Sequence, residues 1–315
     1  MASASPRAFS FRNRPKVSRL RGFRPPALSA PGSSLRSVSR TADRIRAYYR
    51  NFDEWHRLVQ DPYHELEIET TLHFLRRYLP SKGTVLDAGG GPGRYTIELA
   101  RAGFNVTLLD FTPEVLEQAH RNVRRAGVSD RVREFVLGSV TDLSEFESGS
   151  FDAVLCLGGP LNHILRARDR EGALDELGRV AKPYAPIFVS VISRYAQLID
   201  GLVRHPDGLR TDPAHHWRIL RTGNYDGHRG FAPSHFFAPE ELRSLLRKHR
   251  LKVIESVGLE GLAAGHIRVV NRLARVDPSA WRSWWSFHLA TCGDPAVVAT
   301  SQHFLVVSRK PSRPS

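Results

Sequence analysis

The residues best placed to do chemistry form one turn, Asp87-Ala88-Gly89-Gly90-Gly91-Pro92-Gly93, set between an apolar run and a helix-like run. Alternate glycines let the backbone turn sharply and let a ligand approach without a Cβ in its way. The helix start beyond adds exposed N–H groups and the positive end of a helix dipole. Asp110 ends the next strand-like run, twenty-one residues after Gly89. A carboxylate there can accept hydrogen bonds from both hydroxyls of a ribose. His163 follows a later strand, and an ordinary histidine pKa of ~6.5 suits proton removal near neutrality. The competing reading of His163 is a histidine held by hydrogen bonds in a loop.

Two cofactor classes use such a turn. A dinucleotide fingerprint needs a third glycine three residues after the second. Counting from Gly89 and Gly91 that position is Arg94, and from Gly91 and Gly93 it is Thr96, so both registers fail. The pattern that stands, D-x-G-x-G-x-G with Asp87, Gly89, Gly91 and Gly93, resembles motif I of the class I S-adenosylmethionine-dependent methyltransferases. The resemblance implies S-adenosylmethionine as cofactor, with Asp110 on its ribose and Phe111 against its adenine. Gly138-Ser139-Val140-Thr141-Asp142 resembles the adenine-recognition segment of that class, which assigns Ser139, Val140 and Asp142 to the cofactor. Phe151 to Leu157 resembles motif IV, whose end at Leu157 faces the methyl group. Arg94 and Tyr95, at the helix start, are placed to meet the methionine carboxylate. The resemblance covers about residues 84 to 193. The runs 51–79, VLDAGGGPGRYTIELA, LCLGGPLNHI and HFF-x-PEEL are similar to one group of small prokaryotic methyltransferases whose substrates are undefined.

The acceptor is less legible. Enzymes of this class that methylate nucleobase amines often carry Asn/Asp-Pro-Pro-aromatic after motif IV, whereas this chain reads Gly158-Gly159-Pro160-Leu161-Asn162-His163. That favours a small-molecule acceptor. An RNA or protein methyltransferase and a non-catalytic S-adenosylmethionine-binding protein remain as alternatives. Transfer itself asks the protein to align the reactants, exclude water and remove a proton where needed. His215, His216, His228 and His235 show no i, i+4 spacing, so no metal site is expected.

These residues must be held by an α/β framework. Apolar runs at 84–87, 105–110, 132–137, 151–157 and 186–192 alternate with helical patterns at 94–102, 113–126 and 171–180. Runs buried on both faces mean a mostly parallel sheet with helices on each side, the Rossmann-like sheet of class I methyltransferases. A helix at 239–249 and strands at 252–257 and 303–309 follow, the last antiparallel. Two helical segments, 47–58 and 63–78, precede the first strand. Tyr48, Tyr49, Trp55 and Tyr63 there are read as a lid over the cofactor or as core. The expected division is a tail, 1–42, and a catalytic domain, 43–315. Within that domain come N-terminal helices at 43–80 and insertions at 194–238 and 259–297 that build the acceptor side. Trp281, Trp284 and Trp285 in the second insertion read as packing or a dimer contact.

The 315 residues carry a formal net charge of +14. Nine of those excess charges lie ahead of Asp43, the first acid, which leaves +5 over the remaining 273 residues. The basic excess therefore belongs to a Ser-, Pro- and Arg-rich segment read as disordered, and nucleic acid is possible but not favoured as a partner. That segment reads as an extension, an organelle transit peptide or a basic arm. No stretch approaches the ~18 apolar residues that span a bilayer. Two cysteines give neither a disulfide framework nor a metal motif. A cytoplasmic monomer or homodimer is expected.

Overall fold

The computed structural model describes residues 33–312, Arg229 excepted. The chain opens with α1 (Ser33–Asn51), α2 (Glu54–Arg57) and α3 (Pro62–Tyr78). Then follow β1 (Thr84–Ala88), α4 (Arg94–Arg101), β2 (Asn105–Asp110), α5 (Pro113–Ala126), β3 (Val132–Leu137), β4 (Ala153–Cys156), α6 (Ala167–Val180) and β5 (Pro186–Ile192). The first insertion holds α7 (Ala196–Arg204), α8 (Pro206–Thr211), α9 (Pro213–Thr222) and a small ribbon, β6 (Asn224–Tyr225) and β7 (Ser234–His235). The chain closes with α10 (Pro239–Lys248), β8 (Lys252–Gly258), α11 (Ile267–Val276), α12 (Pro278–Thr291), α13 (Pro295–Thr300) and β9 (His303–Arg309).

Seven strands form one sheet in the order β3-β2-β1-β4-β5-β9-β8. β1 to β5 are parallel, and β9 runs antiparallel to both β5 and β8. The period-2 alternation of a strand explains why the runs are apolar throughout. In β5, Ile187, Val189 and Val191 enter one core layer while Phe188 enters the other; in β9, Phe304 and Val306 oppose Leu305 and Val307 in the same way. α6 and α10 cover the first layer through Leu174, Leu177, Leu242 and Leu246. α3 and α4 cover the second through Leu72, Leu75, Tyr95 and Leu99. Strand order reverses at β1, which pairs with β2 on one side and β4 on the other, so a crevice opens beyond the carboxyl ends of these strands.

Several local expectations change. α1 begins at Ser33, so regular structure crosses the expected boundary at residue 42; the reading of residues 1–32 lies outside the described residues. The segment 47–58 is not one helix: Asp53 caps a new one by accepting the His56 N–H at 3.2 Å. Thr112 holds the N-cap position of α5, yet makes no side-chain cap; its own N–H goes to Asp110 Oδ1 at 2.9 Å. The first insertion folds into three short helices, two of them opened by proline near the start. α7 is the exception among them, starting at Ala196 without proline. Trp281, Trp284 and Trp285 pack against Tyr63, Leu66, Ala263 and Val270, which makes them a core satellite.

Candidate active site

A cavity of ≈ 420 Å³ opens at the carboxyl ends of β1, β2 and β4. Its floor is the glycine turn. Gly89 and Gly91 have φ of 81° and 54°, the left-handed region where glycine is favoured. Gly89 and Gly90 donate their N–H groups to the Leu109 carbonyl at 2.7 and 3.1 Å, which folds the turn against β2. A Cβ at Gly89 would strike Pro160 at 2.4 Å, whereas one at Gly91 would meet no atom within 4 Å. Gly91 therefore keeps its space for something outside the chain. Gly93 has φ 87° and starts α4 from behind the wall.

Asp110 lines the cavity from the end of β2. Its Oδ2 accepts the Gly91 N–H at 3.0 Å, which couples the carboxylate to the turn. Burial pushes its pKa up. Asp87 is buried behind the turn, 1% exposed; its Oδ2 accepts the Thr96 hydroxyl at 2.6 Å and its Oδ1 has no partner among the described residues. Burial pushes that carboxyl up to about 6. Phe111, Ser139, Val140 and Leu157 line the cavity. Arg46 of α1 lies over the Phe111 ring, 5.5 Å from its centroid, and donates to the Phe111 carbonyl at 3.3 Å. Arg94 also lines it, but its guanidinium stacks on Trp55 at 4.0 Å and donates Nε and Nη2 to the Trp55 carbonyl. Asp142 does not reach the cavity: it is exposed and its carboxylate accepts the Ser144 N–H at 3.1 Å, closing its own turn. Asp87 and Gly93 are likewise behind the wall rather than in it.

His163 lines the same cavity from a 3-10 turn (Pro160–His163) after β4. Its Nδ1 is 3.0 Å from the Pro233 carbonyl and its Nε2 is 2.7 Å from the Tyr49 hydroxyl. A carbonyl only accepts, so Nδ1 carries the proton in the neutral ring and Nε2 accepts from Tyr49. Burial lowers the imidazole pKa to about 4, so the ring is neutral at pH 7. Burial, with Glu54 second, holds the Tyr49 phenol well above its ordinary value.

Sequence reasoning gave Tyr49 no individual role and missed Glu54, Arg57 and Leu58, which complete the wall. Tyr48, by contrast, stacks on Phe52, and Tyr63 belongs to the tryptophan cluster. Arg57 binds Glu54 at 2.8 Å and Glu67 at 2.5 Å. The i, i+3 spacing of Glu54 and Arg57 was a usable signal; the contact with Glu67 was not. No residue of 194–238 or 259–297 lines the cavity among the described residues; the first insertion backs His163 through Pro233, Ser234 and Phe231. Asp212, His215 and His228 bring ligand-type atoms within 4.8 Å of one another, but Arg218 stands 3.5 Å from His215 Nδ1, a poor neighbour for a cation.

Residues 85–184 match the family described as methyltransferase domain. Over 173 residues the chain is 32% identical to a glycine/sarcosine N-methyltransferase of Parasynechococcus marenigrum (strain WH8102), covering 54% of this chain and 59% of that one. Over 135 residues it is 32% identical to a ubiquinone biosynthesis O-methyltransferase of Xanthomonas axonopodis pv. citri (strain 306), covering 43% of this chain and 54% of that one. The chain thus spans a little over half the length of these relatives. A solved protein of Pyrococcus horikoshii OT3 shares the fold with a TM-score of 0.55 at 18% identity, over 84% of this chain and 98% of that one. The 1,6-didemethyltoxoflavin-N1-methyltransferase of Burkholderia thailandensis, solved with 1,6-didemethyltoxoflavin and S-adenosylhomocysteine, has a TM-score of 0.51 at 18% identity, over 91% of this chain and 94% of that one.

Proposed function

We propose that the chain, whose residues 85–184 match a methyltransferase domain, is a class I S-adenosylmethionine-dependent methyltransferase that methylates an oxygen, nitrogen or carbon atom of a small molecule. The observation that carries this reading is that Gly91, Asp110, Tyr49 and His163 line one cavity. Gly91 and Asp110 fit the cofactor: an open glycine face and a carboxylate for ribose, with Phe111 and Val140 for a planar base. The unpartnered, buried Asp87 oxygen behind the turn adds a field that favours a cationic ligand. S-adenosylmethionine supplies an electrophilic methyl carbon on a sulfonium. The protein's part is to fix that carbon near the end of β4, hold the acceptor in line, keep water out and take a proton where the acceptor has one to lose.

A small acceptor is favoured because α1 and residues of the 158–169 segment line the same cavity as the glycine turn. Glycine, sarcosine and ring hydroxyls are the first acceptors to try, since the relatives named above act in glycine/sarcosine and ubiquinone chemistry. Cys156 and Cys292 are both buried and free, which suits a reducing, cytoplasmic setting, and no described helix is long and apolar enough to cross a membrane.

The test is calorimetric titration with S-adenosylmethionine and S-adenosylhomocysteine, followed by transfer of a radiolabelled methyl group to glycine, sarcosine, phenol and catechol. Micromolar binding of both cofactor forms, with label on at least one acceptor, is the expected result. A folded chain that binds neither form ends the proposal.

A further inference from the structure

The Tyr49–His163 pair says more about the proton. His163 Nε2, the basic nitrogen of the neutral ring, is already taken by the Tyr49 hydroxyl at 2.7 Å. The two rings meet edge to face with centroids 5.2 Å apart, and Phe231 lies 5.9 Å from the imidazole on another side. Nδ1 faces the Pro233 carbonyl at 3.0 Å and the Ser234 hydroxyl at 3.3 Å. Both nitrogens are thus engaged, and the group left to meet an acceptor is the Tyr49 oxygen, whose lone pairs remain available once its proton points at Nε2.

We propose that Tyr49 is the catalytic residue that touches the acceptor, that His163 acts through it as the terminal proton store, and that the acceptor arrives uncharged with an O–H or N–H to lose. This rests on the methyltransferase reading above. The acceptor X–H donates to Tyr49 Oη while Tyr49 donates to His163 Nε2. As the X–CH₃ bond forms, the C–S bond breaks and its electron pair goes to sulfur. The acceptor proton moves to Tyr49, and the phenol proton moves to Nε2. The products are methylated X, neutral thioether, Tyr49 unchanged and an imidazolium whose Nδ1–H stays on Pro233. Solvent takes the stored proton after release.

The charge balance supports this direction. One positive charge enters on sulfur and one positive charge remains on the imidazole, so the pocket carries the same charge before and after. The sulfonium disfavours protonation of His163 before transfer, and its loss restores basicity at the moment a base is required. Tyr49 does not need to ionise. The charged groups that face the pair are Glu54 and Arg57 from α2 and Asp110 from β2. Glu54 and Arg57 pair with each other, and Asp110 is held by the Gly91 and Thr112 N–H groups, so none of the three is a mobile proton acceptor beside the phenol.

The test uses the full chain and two readouts. Ring ¹⁵N NMR, with His163 assigned by difference from His163→Gln, should show the Nδ1–H tautomer. It should also show the imidazole protonating at higher pH in the S-adenosylhomocysteine complex than in the S-adenosylmethionine complex. Tyr49→Phe removes one oxygen and should leave the S-adenosylhomocysteine Kd within about twofold. It should lower transfer to phenol on the order of 100-fold or more, the range of a lost acid–base contact. With 4-nitrophenol, largely ionised at pH 8, the same variant should lose far less. An Nε2–H tautomer, identical titration in the two complexes, or equal losses for both phenols overturns the relay. Failure of either cofactor to bind is a different result, and overturns the methyltransferase reading itself.

Discussion

Gly89 and Gly91 stand two residues apart and answer to different constraints. Both have positive φ, for which an L residue costs roughly 1–2 kcal/mol. A methyl at Gly89 also collides with Pro160 at 2.4 Å, on the turn that carries His163. Gly89→Ala should therefore lower Tm by several degrees and weaken binding with it. A methyl at Gly91 enters empty cavity, so Gly91→Ala should bear only the φ strain and lose less Tm than Gly89→Ala, but weaken S-adenosylhomocysteine at least tenfold. Thermal melts beside calorimetry separate the two, and equal Tm losses would refute the assignment. Asp110→Ala should likewise weaken S-adenosylhomocysteine on the order of 100-fold, since it removes an acceptor facing the ribose position and frees the Gly91 N–H. The place of these residues on the cavity was legible because it is set locally, by a turn, a strand end and a count of positions. Asp142 was misread for the same reason. Its spacing fits, but a bond to its neighbour Ser144 satisfies the carboxylate outside the cavity. Tyr49 lay out of reach because its partner is 114 residues away, and no periodicity reports a contact of that kind.

At the scale of elements, the notable device is a chain of charges that ties α2 and α3 to β9. Glu54 binds Arg57, Arg57 binds Glu67, and His303 at the start of β9 stands 3.4 Å from Glu67 and 2.6 Å from Glu260. Glu54 and Arg57 are also cavity wall, so the same chain that fixes the N-terminal helices shapes the site. Removing the guanidinium leaves the partly buried Glu54 unpaired and the buried Glu67 with His303 alone, so Arg57→Met should destabilise by about 3–5 kcal/mol in denaturant melts. His303 gives the chain a pH dependence. Burial opposes its protonation, but Glu67 and Glu260 outweigh it and raise its pKa above the ordinary value. A raised folded pKa gives stability that is complete below the unfolded value of ~6.5 and lost as pH rises through the folded value. Stability should thus fall as pH rises above ~6.5, and His303→Gln should flatten that fall while lowering stability at pH 6. A wild-type curve unchanged by the substitution would remove His303 from the account. The strands themselves were readable from sequence because each is an apolar run buried on both faces. The short helices of 194–238 were not, since their packing is tertiary and their apolar sets are too brief for a 3.6-residue period to emerge.

For the whole molecule, the decisive feature is that one wall of the cavity is borrowed from outside the sheet. Thr41, Ala42, Ile45 and Tyr49 of α1 face the cavity, and apart from the Tyr49–His163 bond and Tyr48 against Phe231 the helix is joined to the body through exposed polar contacts. Arg44 donates to the Gly227 carbonyl at 3.0 Å, Arg46 to the Phe111 carbonyl at 3.3 Å, and Arg50 pairs with Glu114 at 3.4 Å across surfaces about half exposed. Exposed pairs of this kind contribute about 0–1 kcal/mol each. Elements held so lightly open far more easily than the sheet core, so α1 belongs at the low-stability end of the molecule. A ligand that fills the cavity adds contacts to Ile45 and Tyr49 and must slow that opening, because binding to the closed form alone shifts the equilibrium toward it. Amide hydrogen exchange over residues 41–51 should therefore be fast in the free protein and at least tenfold slower with saturating S-adenosylhomocysteine, while exchange in β1, β4 and β5 changes little. A chain beginning at Phe52 should keep the sheet's circular dichroism yet bind S-adenosylhomocysteine at least tenfold more weakly, whereas one beginning at Ser33 should bind as the full chain does. If α1 exchanges at the same rate with and without ligand, the cavity is completed by the sheet alone, and Tyr49 cannot be the group that meets the acceptor.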